Sequence, residues 1–160
     1  MRVTKALCGL MILVAVFITG CSSVEEFRQA RKVAENFFKD RFENGGAGSD
    51  AFYSKLFWDN TDAAEWRHIK KLVDLSLGGL QSYTLVSWKL KEQLPTGQLS
   101  GTFAVLVFET QYEKGSGLEK LTLLQRGGLS EFEIVGHQFD SRQINEMVLE
   151  GIAKAAEQNA

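Results

Sequence analysis

The chain is poor in the residues that build disulfides, metal centres and backbone breaks. Its 160 residues include two cysteines, two histidines and one proline. Cys8 and Cys21 both lie near the amino terminus, which excludes a disulfide framework for the rest of the chain. His68 and His137 stand in neither an H-E-x-x-H nor an H-x-H spacing, and two histidines are too few to indicate a metal site. We therefore expect neither a metal nor a cofactor.

Recognisable catalytic motifs are also missing. The sequence contains no G-x-S-x-G elbow, no Walker loop and no dinucleotide fingerprint. The glycine pairs Gly45-Gly46 and Gly78-Gly79 are isolated, with nothing downstream that would bind a phosphate. No residue is assigned a catalytic role, and the chain is predicted not to be an enzyme.

The amino terminus carries the most specific motif. Basic residues precede an apolar run over residues 6–18, which is too short to cross a bilayer core of ~30 Å as a helix. The segment Ile18-Thr19-Gly20-Cys21 resembles the lipobox of bacterial lipoproteins. The resemblance implies cleavage between Gly20 and Cys21, diacylation of the cysteine thiol and, in most cases, acylation of the new amine. Two or three acyl chains make a stable anchor, whereas one would be marginal. The alternative is an ordinary secretory signal that ends near a cysteine.

The same resemblance predicts the location of the protein. A lipid on Cys21 would hold it on the cell membrane or the outer membrane, facing the periplasm or the exterior. Ser22, where an aspartate would favour retention, resembles the signal for export to the outer membrane. The whole chain has a formal charge of −2, and the leader contains Arg2 and Lys5, so the remaining 140 residues carry −4. This acidic balance argues against a nucleic-acid partner.

The lipobox resemblance implies a leader (1–20) and a short lipidated tether (21–23), and hydrophobic periodicity predicts an α+β domain (24–140) and a C-terminal helical extension (141–160). A stripe at helical spacing predicts a first helix, which begins at a Ser23/Glu26 capping box and ends near Asn44. A short helical segment is expected over Ala51–Trp58. A second capping box, Asp62/Glu65, begins a further helix that ends at Gly78-Gly79.

From Leu80 the apolar period changes from about 3.6 toward 2, which indicates strands. Four antiparallel strands are predicted: Ser82–Lys91, Gly101–Glu113, Leu118–Arg126 and Glu131–Asp140. The second strand is apolar on both faces over Thr102–Phe108, so it should be central, with helices covering one face. A last stripe that starts at Ile144 predicts a helix that packs on its own domain or contacts another subunit or partner.

This order of elements looks like the α+β cone of the cystatin-like and nuclear-transport-factor-like superfamily, with N-terminal helices on a curved four-stranded sheet. Residues 29–139 are similar to an uncharacterised family of small secreted bacterial proteins of that fold. The similarity is carried by four segments: Ala34–Phe38, Phe103–Tyr112, Glu119–Leu124 and Phe132–Gly136. The family has no assigned activity, so the resemblance implies no catalytic residue. The chain departs from the family in the glycine-rich loop 44–48 and in the helix after Ser141.

Aromatic residues supply the candidate binding site. Cone folds leave a mouth between the sheet and its helices, and a ligand pocket or contact rim is predicted at Tyr53, Trp58, Trp66, Trp88 and Tyr112. The alternative is that these rings form ordinary core, since large aromatics at helical spacing usually pack against a sheet. The predicted partner is a protein or a small apolar molecule.

An enzyme is the second hypothesis. Some enzymes of the superfamily transfer protons with one acid in an apolar cone and a tyrosine donor. Here Glu109 or Asp74 would pair with Tyr112 or Tyr53, although no spacing selects them. Alternation predicts that most strand carboxylates face water, and this set comprises Glu109, Glu113, Glu119, Glu131 and Glu133. His68 is expected on a helix surface, and His137 is expected to be hydrogen-bonded near a sheet edge.

Overall fold

The computed structural model describes residues 20–46, 48–93, 100–127 and 131–146. Its helices are α1 (Gly20–Asn44), a 3₁₀ turn (Ser49–Phe52), α2 (Lys55–Asn60) and α3 (Ala63–Leu77). Its strands are β1 (Leu80–Gln93), β2 (Gly101–Tyr112), β3 (Ser116–Arg126) and β4 (Glu133–Asp140). The strands form one antiparallel sheet in the order β1-β2-β3-β4. The predicted α+β class is confirmed, and the layout is consistent with the cystatin-like and nuclear-transport-factor-like folds.

Helix α1 lies across the inner face of the sheet. Its buried residues Ala30, Ala34, Phe37 and Phe38 recur at intervals of three and four, so they share one helical face. The Phe38 ring packs on Phe108, with ring centroids 4.6 Å apart. The two alanines let the helix backbone approach the sheet, and the two phenylalanines fill the core beyond them.

The start of α1 differs from the prediction. The helix begins at Gly20, so Ser23 lies inside it and does not form the predicted capping box with Glu26. Residues 21–23, predicted to be a tether, belong to the helix as well. Each added residue gains a backbone hydrogen bond once a helical turn exists, and no proline interrupts this stretch. The predicted end near Asn44 is confirmed.

The helical segment predicted over residues 51–58 is broken in two. Between the 3₁₀ turn and α2, the Ser54 N–H donates to the carbonyl of Ile134 on β4, with an N–O distance of 2.9 Å. Tyr53 forms an isolated parallel bridge with the same residue. The Ser54 hydroxyl then accepts from the Phe57 N–H and caps α2. This long-range pairing fixes Tyr53 against the sheet.

Helix α3 and the strands agree closely with the sequence patterns. Asp62 caps α3 by accepting from the N–H groups of Ala64 and Glu65, and Gly78 ends it with a φ of 78°. Strand β2 pairs with both β1 and β3, as its two apolar faces predict. A register shift between Leu85 and Ser87 interrupts the alternation of β1.

Residues 142–146 begin the helix predicted after Ser141. The remainder of the predicted extension, residues 147–160, lies outside the described residues. The predicted leader also lies outside them, up to residue 19. Within the described ranges, no helix combines the length and hydropathy needed to cross a membrane.

Replacing Gly101 by alanine should destabilise the sheet. Gly101 has a φ of 142°, and an added Cβ would lie 2.1 Å from the carbonyl oxygen of Gln125 on β3. We expect Gly101→Ala to lower the free energy of unfolding by roughly 1–3 kcal/mol. Urea unfolding measures this change. Gly127→Ala is the control, because an added Cβ there meets nothing within 4 Å. Equal effects of the two substitutions would contradict the prediction.

Candidate functional site

A cluster of polar side chains lies in the core between α1 and the sheet. It contains Arg41 from α1, Tyr53 from the break before α2, and one residue from each of three strands: Tyr112, Glu119 and His137. The Glu119 side chain at its centre is fully buried, and that of His137 is 5% exposed. We call these five residues the buried cluster.

Local periodicity explains why these polar residues point inward. Glu119 shares the inner face of β3 with Leu121 and Leu123, because side chains two residues apart lie on one side of a strand. Arg41 follows Phe37 and Phe38 by one helical turn, and therefore faces the sheet as they do. The apolar residues on each face thus determine the placement of the charged ones.

Three members of the cluster form a closed triangle of hydrogen bonds. Arg41 Nη1 donates to Glu119 Oε2 at 2.5 Å, and Arg41 Nη2 donates to the Tyr112 hydroxyl at 2.9 Å. The Tyr112 hydroxyl in turn donates to Glu119 Oε1. Each oxygen of the buried carboxylate therefore has a partner, and the positive charge of Arg41 offsets its negative charge.

His137 extends the cluster to Tyr53. Its Nε2 lies 2.8 Å from Glu119 Oε2, and its Nδ1 lies 2.8 Å from the Tyr53 hydroxyl oxygen. An ionised carboxylate can only accept, so Nε2 carries the hydrogen. In the neutral ring Nδ1 then accepts from the Tyr53 O–H, which gives a continuous hydroxyl–imidazole–carboxylate chain.

The charges of the cluster determine its protonation. Burial alone would raise the pKa of Glu119, but the attraction of Arg41 and the hydrogen bonds from His137 and Tyr112 outweigh it and lower the pKa to about 2. Burial raises the pKa of the Tyr53 and Tyr112 hydroxyls well above their ordinary value. Glu119 is therefore held as a carboxylate and both tyrosines keep their protons, so they serve as donors.

Little free space adjoins the centre of the cluster, at Glu119 and His137. A cavity of about 20 Å³ lies beside it, which is room for about one water molecule. It is lined by Phe37, Arg41, Tyr53, Trp66, Ile69, Lys70, Val73, Glu119, His137 and Phe139. Within the described chain the buried Trp66 Nε1 makes no hydrogen bond of normal geometry, although it lies near the Tyr53 hydroxyl.

Larger depressions lie at the surface, away from the centre of the cluster. An open groove of about 330 Å³ runs between α1, the 3₁₀ turn and the start of β4. A second depression, of about 190 Å³, adjoins Arg41 and Tyr112 on the side of Gly78 and Gly79. The groove of about 330 Å³ includes Tyr53 in its wall, but none of the charged members of the cluster.

The predicted aromatic site is divided in the structure. Tyr53, Trp58 and Trp66 pack together, with Tyr53 centroid distances of 5.5 Å to Trp58 and 5.9 Å to Trp66. Tyr112 lies across Glu119 from them. Trp88 is remote from the cluster and stacks on Phe27, with ring centroids 4.2 Å apart.

The carboxylate paired with the tyrosines is not one of those proposed for the enzyme hypothesis. Glu109 and Asp74 are exposed, and neither forms a hydrogen bond with Tyr53 or Tyr112. Glu119 occupies that position and is the exception among strand carboxylates predicted to face water. The sequence feature that could have indicated its burial is that Leu121 and Leu123, two and four residues further along, share its face of the strand. His68 is exposed on α3, and His137 is hydrogen-bonded on edge strand β4, as expected.

Comparison of the chain with protein-family models, with curated proteins and with solved structures finds no match. Among the described residues, no group of three or more histidine, cysteine or acidic side chains is arranged to hold a metal ion.

Glu119→Gln should be strongly destabilising, because it leaves Arg41 buried without a counter-charge. Breaking one side of a buried ion pair costs about 3–5 kcal/mol. The matched control is Glu35→Gln, which removes a surface pair with Arg31 at 2.8 Å and should cost less than about 1 kcal/mol. Adding Arg41→Met to Glu119→Gln should recover part of the loss in chemical unfolding. Strictly additive effects would contradict the coupling.

The lowered pKa of Glu119 also predicts how stability depends on pH. The folded protein binds this proton less readily than the unfolded chain, so stability is lost as the pH falls from the ordinary value of 4.5 to about 2. The contribution at neutral pH is about 3 kcal/mol. Urea unfolding across this range should show a steeper loss for the wild type than for Glu119→Gln. Parallel pH profiles would contradict it.

Proposed function

We propose that the protein is a lipid-anchored lipoprotein of the bacterial envelope, whose α+β domain binds a partner protein at its surface and catalyses no reaction. The anchor is Cys21, exposed by cleavage after Gly20. The outer membrane is the favoured location, because Ser22 directly after the cysteine resembles the signal for export to that membrane.

Two features support an anchored domain held close to the membrane. The first is the lipobox-like segment that ends at Cys21. The second is the start of α1, which already includes Cys21. The first fully buried residue of α1 is Ala30, which lies nine residues on, or about 14 Å along a helix. A rigid helix therefore replaces the flexible tether that would let the domain reach far from the bilayer.

The observation that carries the binding role is the closure of the buried cluster. Both oxygens of Glu119 are engaged by Arg41, Tyr112 and His137. The adjoining cavity of about 20 Å³ is far below the ~300–1,000 Å³ of small-molecule sites. A substrate would have to break the ion pair to reach the Glu119 carboxylate. This favours a role for the cluster in holding the fold together, and for the surface in recognition.

The surface offers apolar contact area for a protein. On α3, the side chains of Ile69, Leu72 and Leu75 are all exposed, and they recur every three residues along one side of the helix. Exposed apolar patches on small domains commonly mark interaction sites. A small apolar ligand is less well supported, because the cavity beside the cluster is only about 20 Å³ and the groove of about 330 Å³ is open and lined in part by the charged residues Glu131 and Glu133.

The alternative is a cone-fold enzyme acting on a small hydrophobic substrate. The observation in its favour is the Tyr53–His137–Glu119 chain, in which an imidazole lies between a hydroxyl and a carboxylate. Against it, burial raises the pKa of Tyr53, so the hydroxyl resists ionisation. A carboxyl group with a raised pKa would favour proton transfer, whereas the pKa of Glu119 is lowered.

Cys21→Ser should abolish acylation of the protein. In cells supplied with labelled palmitate, we expect the wild type to carry label in the membrane fraction and the variant to carry none. Cys8→Ser is the matched control, because it removes the other cysteine, within the predicted leader, and should leave labelling unchanged. Undiminished labelling of Cys21→Ser would contradict the anchor.

A further inference from the structure

We propose that the end of the domain next to Cys21 lies on the bilayer surface through a patch of aromatic, aliphatic and basic side chains. This proximal patch consists of Val24, Phe27, Trp88, Lys89 and Lys91. The proposal rests on the lipid anchor proposed above and adds an orientation to it: the membrane contacts the domain as well as the acyl chains.

Two ring contacts between α1 and β1 show which residues of the helix lie beside which residues of the strand. The Phe38 ring stacks on Tyr83 with centroids 5.0 Å apart, and the Phe27 ring stacks on Trp88 at 4.2 Å. Eleven residues of helix and five residues of strand both span about 16 Å. Strand β1 therefore runs antiparallel to α1 and returns toward the amino end of the helix.

The same spacing sets Lys91 level with the proposed anchor, and sets Phe27 and Trp88 about 9–10 Å farther into the domain. Lys91 lies three residues beyond Trp88, or about 10 Å along β1, and Cys21 lies six residues before Phe27, or about 9 Å along α1. Lys91 and the acylated residue thus reach the same height. A bilayer surface that holds the acyl chains would meet both.

The exposure of these residues suits a bilayer surface. Trp88 is 51% exposed although Phe27 covers one face of its ring, and Val24, one helical turn from Phe27, is 54% exposed. Tryptophan is enriched at membrane interfaces, because its ring is apolar and its N–H is polar. Apolar surface beside an acyl chain is better buried in the headgroup region than left in water.

The charges near the patch favour phospholipid headgroups. Lys89 and Lys91 are exposed and form no ion pair within the described chain. By contrast, Arg28 and Arg31 on α1 are paired with Glu25 and Glu35. Unpaired lysines attract the phosphates of an anionic leaflet. Side chains alternate along a strand, so the two lysines project from the face of β1 opposite Trp88, and a leaflet would meet both faces only at the end of the domain.

The test uses the full acylated protein, purified from membranes and inserted into vesicles of phosphatidylcholine and phosphatidylglycerol. The difference in fluorescence between the wild type and Trp88→Phe gives the signal of Trp88. The difference between the wild type and Trp58→Phe gives the signal of Trp58, which is the control. The control ring contacts Tyr53, which contacts Phe37, about 24 Å along α1 from Cys21. Brominated acyl chains should quench the Trp88 signal at least several-fold more than the Trp58 signal, and aqueous acrylamide should show the reverse order.

Each outcome separates the anchor from the patch. In one outcome the protein floats with the vesicles, but acrylamide quenches Trp88 and brominated chains do not. That result supports the anchor and overturns the proposed contact between the patch and the membrane. Trp88 shielded from both quenchers would indicate that a second copy of the chain covers the patch, which also overturns the proposal. Protein that neither floats nor carries acyl chains overturns both. With the patch correct, Lys89→Gln with Lys91→Gln should reduce Trp88 quenching in vesicles that contain phosphatidylglycerol.

Discussion

The ion pair between Arg41 and Glu119 is the constraint on which the rest of the core depends. Two opposite charges separated by 78 positions in the chain meet in a site where the carboxylate is fully buried. Buried charges are tolerated only when they are paired and their remaining hydrogen-bonding positions are filled. Tyr112 and His137 fill those positions, and Tyr53 completes the set through His137. The pair thereby ties α1 to three strands and to the turn before α2.

Closure of this cluster shapes the functional interpretation. A cone fold can hold a substrate between its helices and sheet, but here that space contains aromatic rings and a neutralised ion pair. The Arg41 guanidinium also lies about 6 Å from the Phe37, Phe38 and Tyr112 ring centroids, which adds cation–π attraction inside the core. Under the function proposed above, recognition would fall to the outer surface, and the proposed anchor would bring that surface to the envelope.

Local patterns in the sequence predicted much of the fold. The inward face of α1, the Asp62 cap and the four strands follow from periods of 3.6 and 2 and from capping chemistry. The break at Tyr53 and Ser54 was not predictable, because it depends on a hydrogen bond to Ile134, 80 positions away. The candidate site was predicted in part. The predicted aromatic site includes Tyr53 and Tyr112, but the predicted surface carboxylates include Glu119 and no sequence pattern indicates Arg41, since periodicity does not reveal which distant charges meet.

The central claim is that the interior of the domain is closed and binds no small molecule. The most direct test compares two masses of the same sample of acylated protein. One is its native mass after release from detergent micelles, and the other is its mass after denaturation. The account predicts equal masses for the protomer in both states, with only covalent acyl chains added to the polypeptide. A native mass that exceeds the denatured mass by that of a small molecule would contradict it, because the cavity of about 20 Å³ beside the ion pair has room for only about one water molecule.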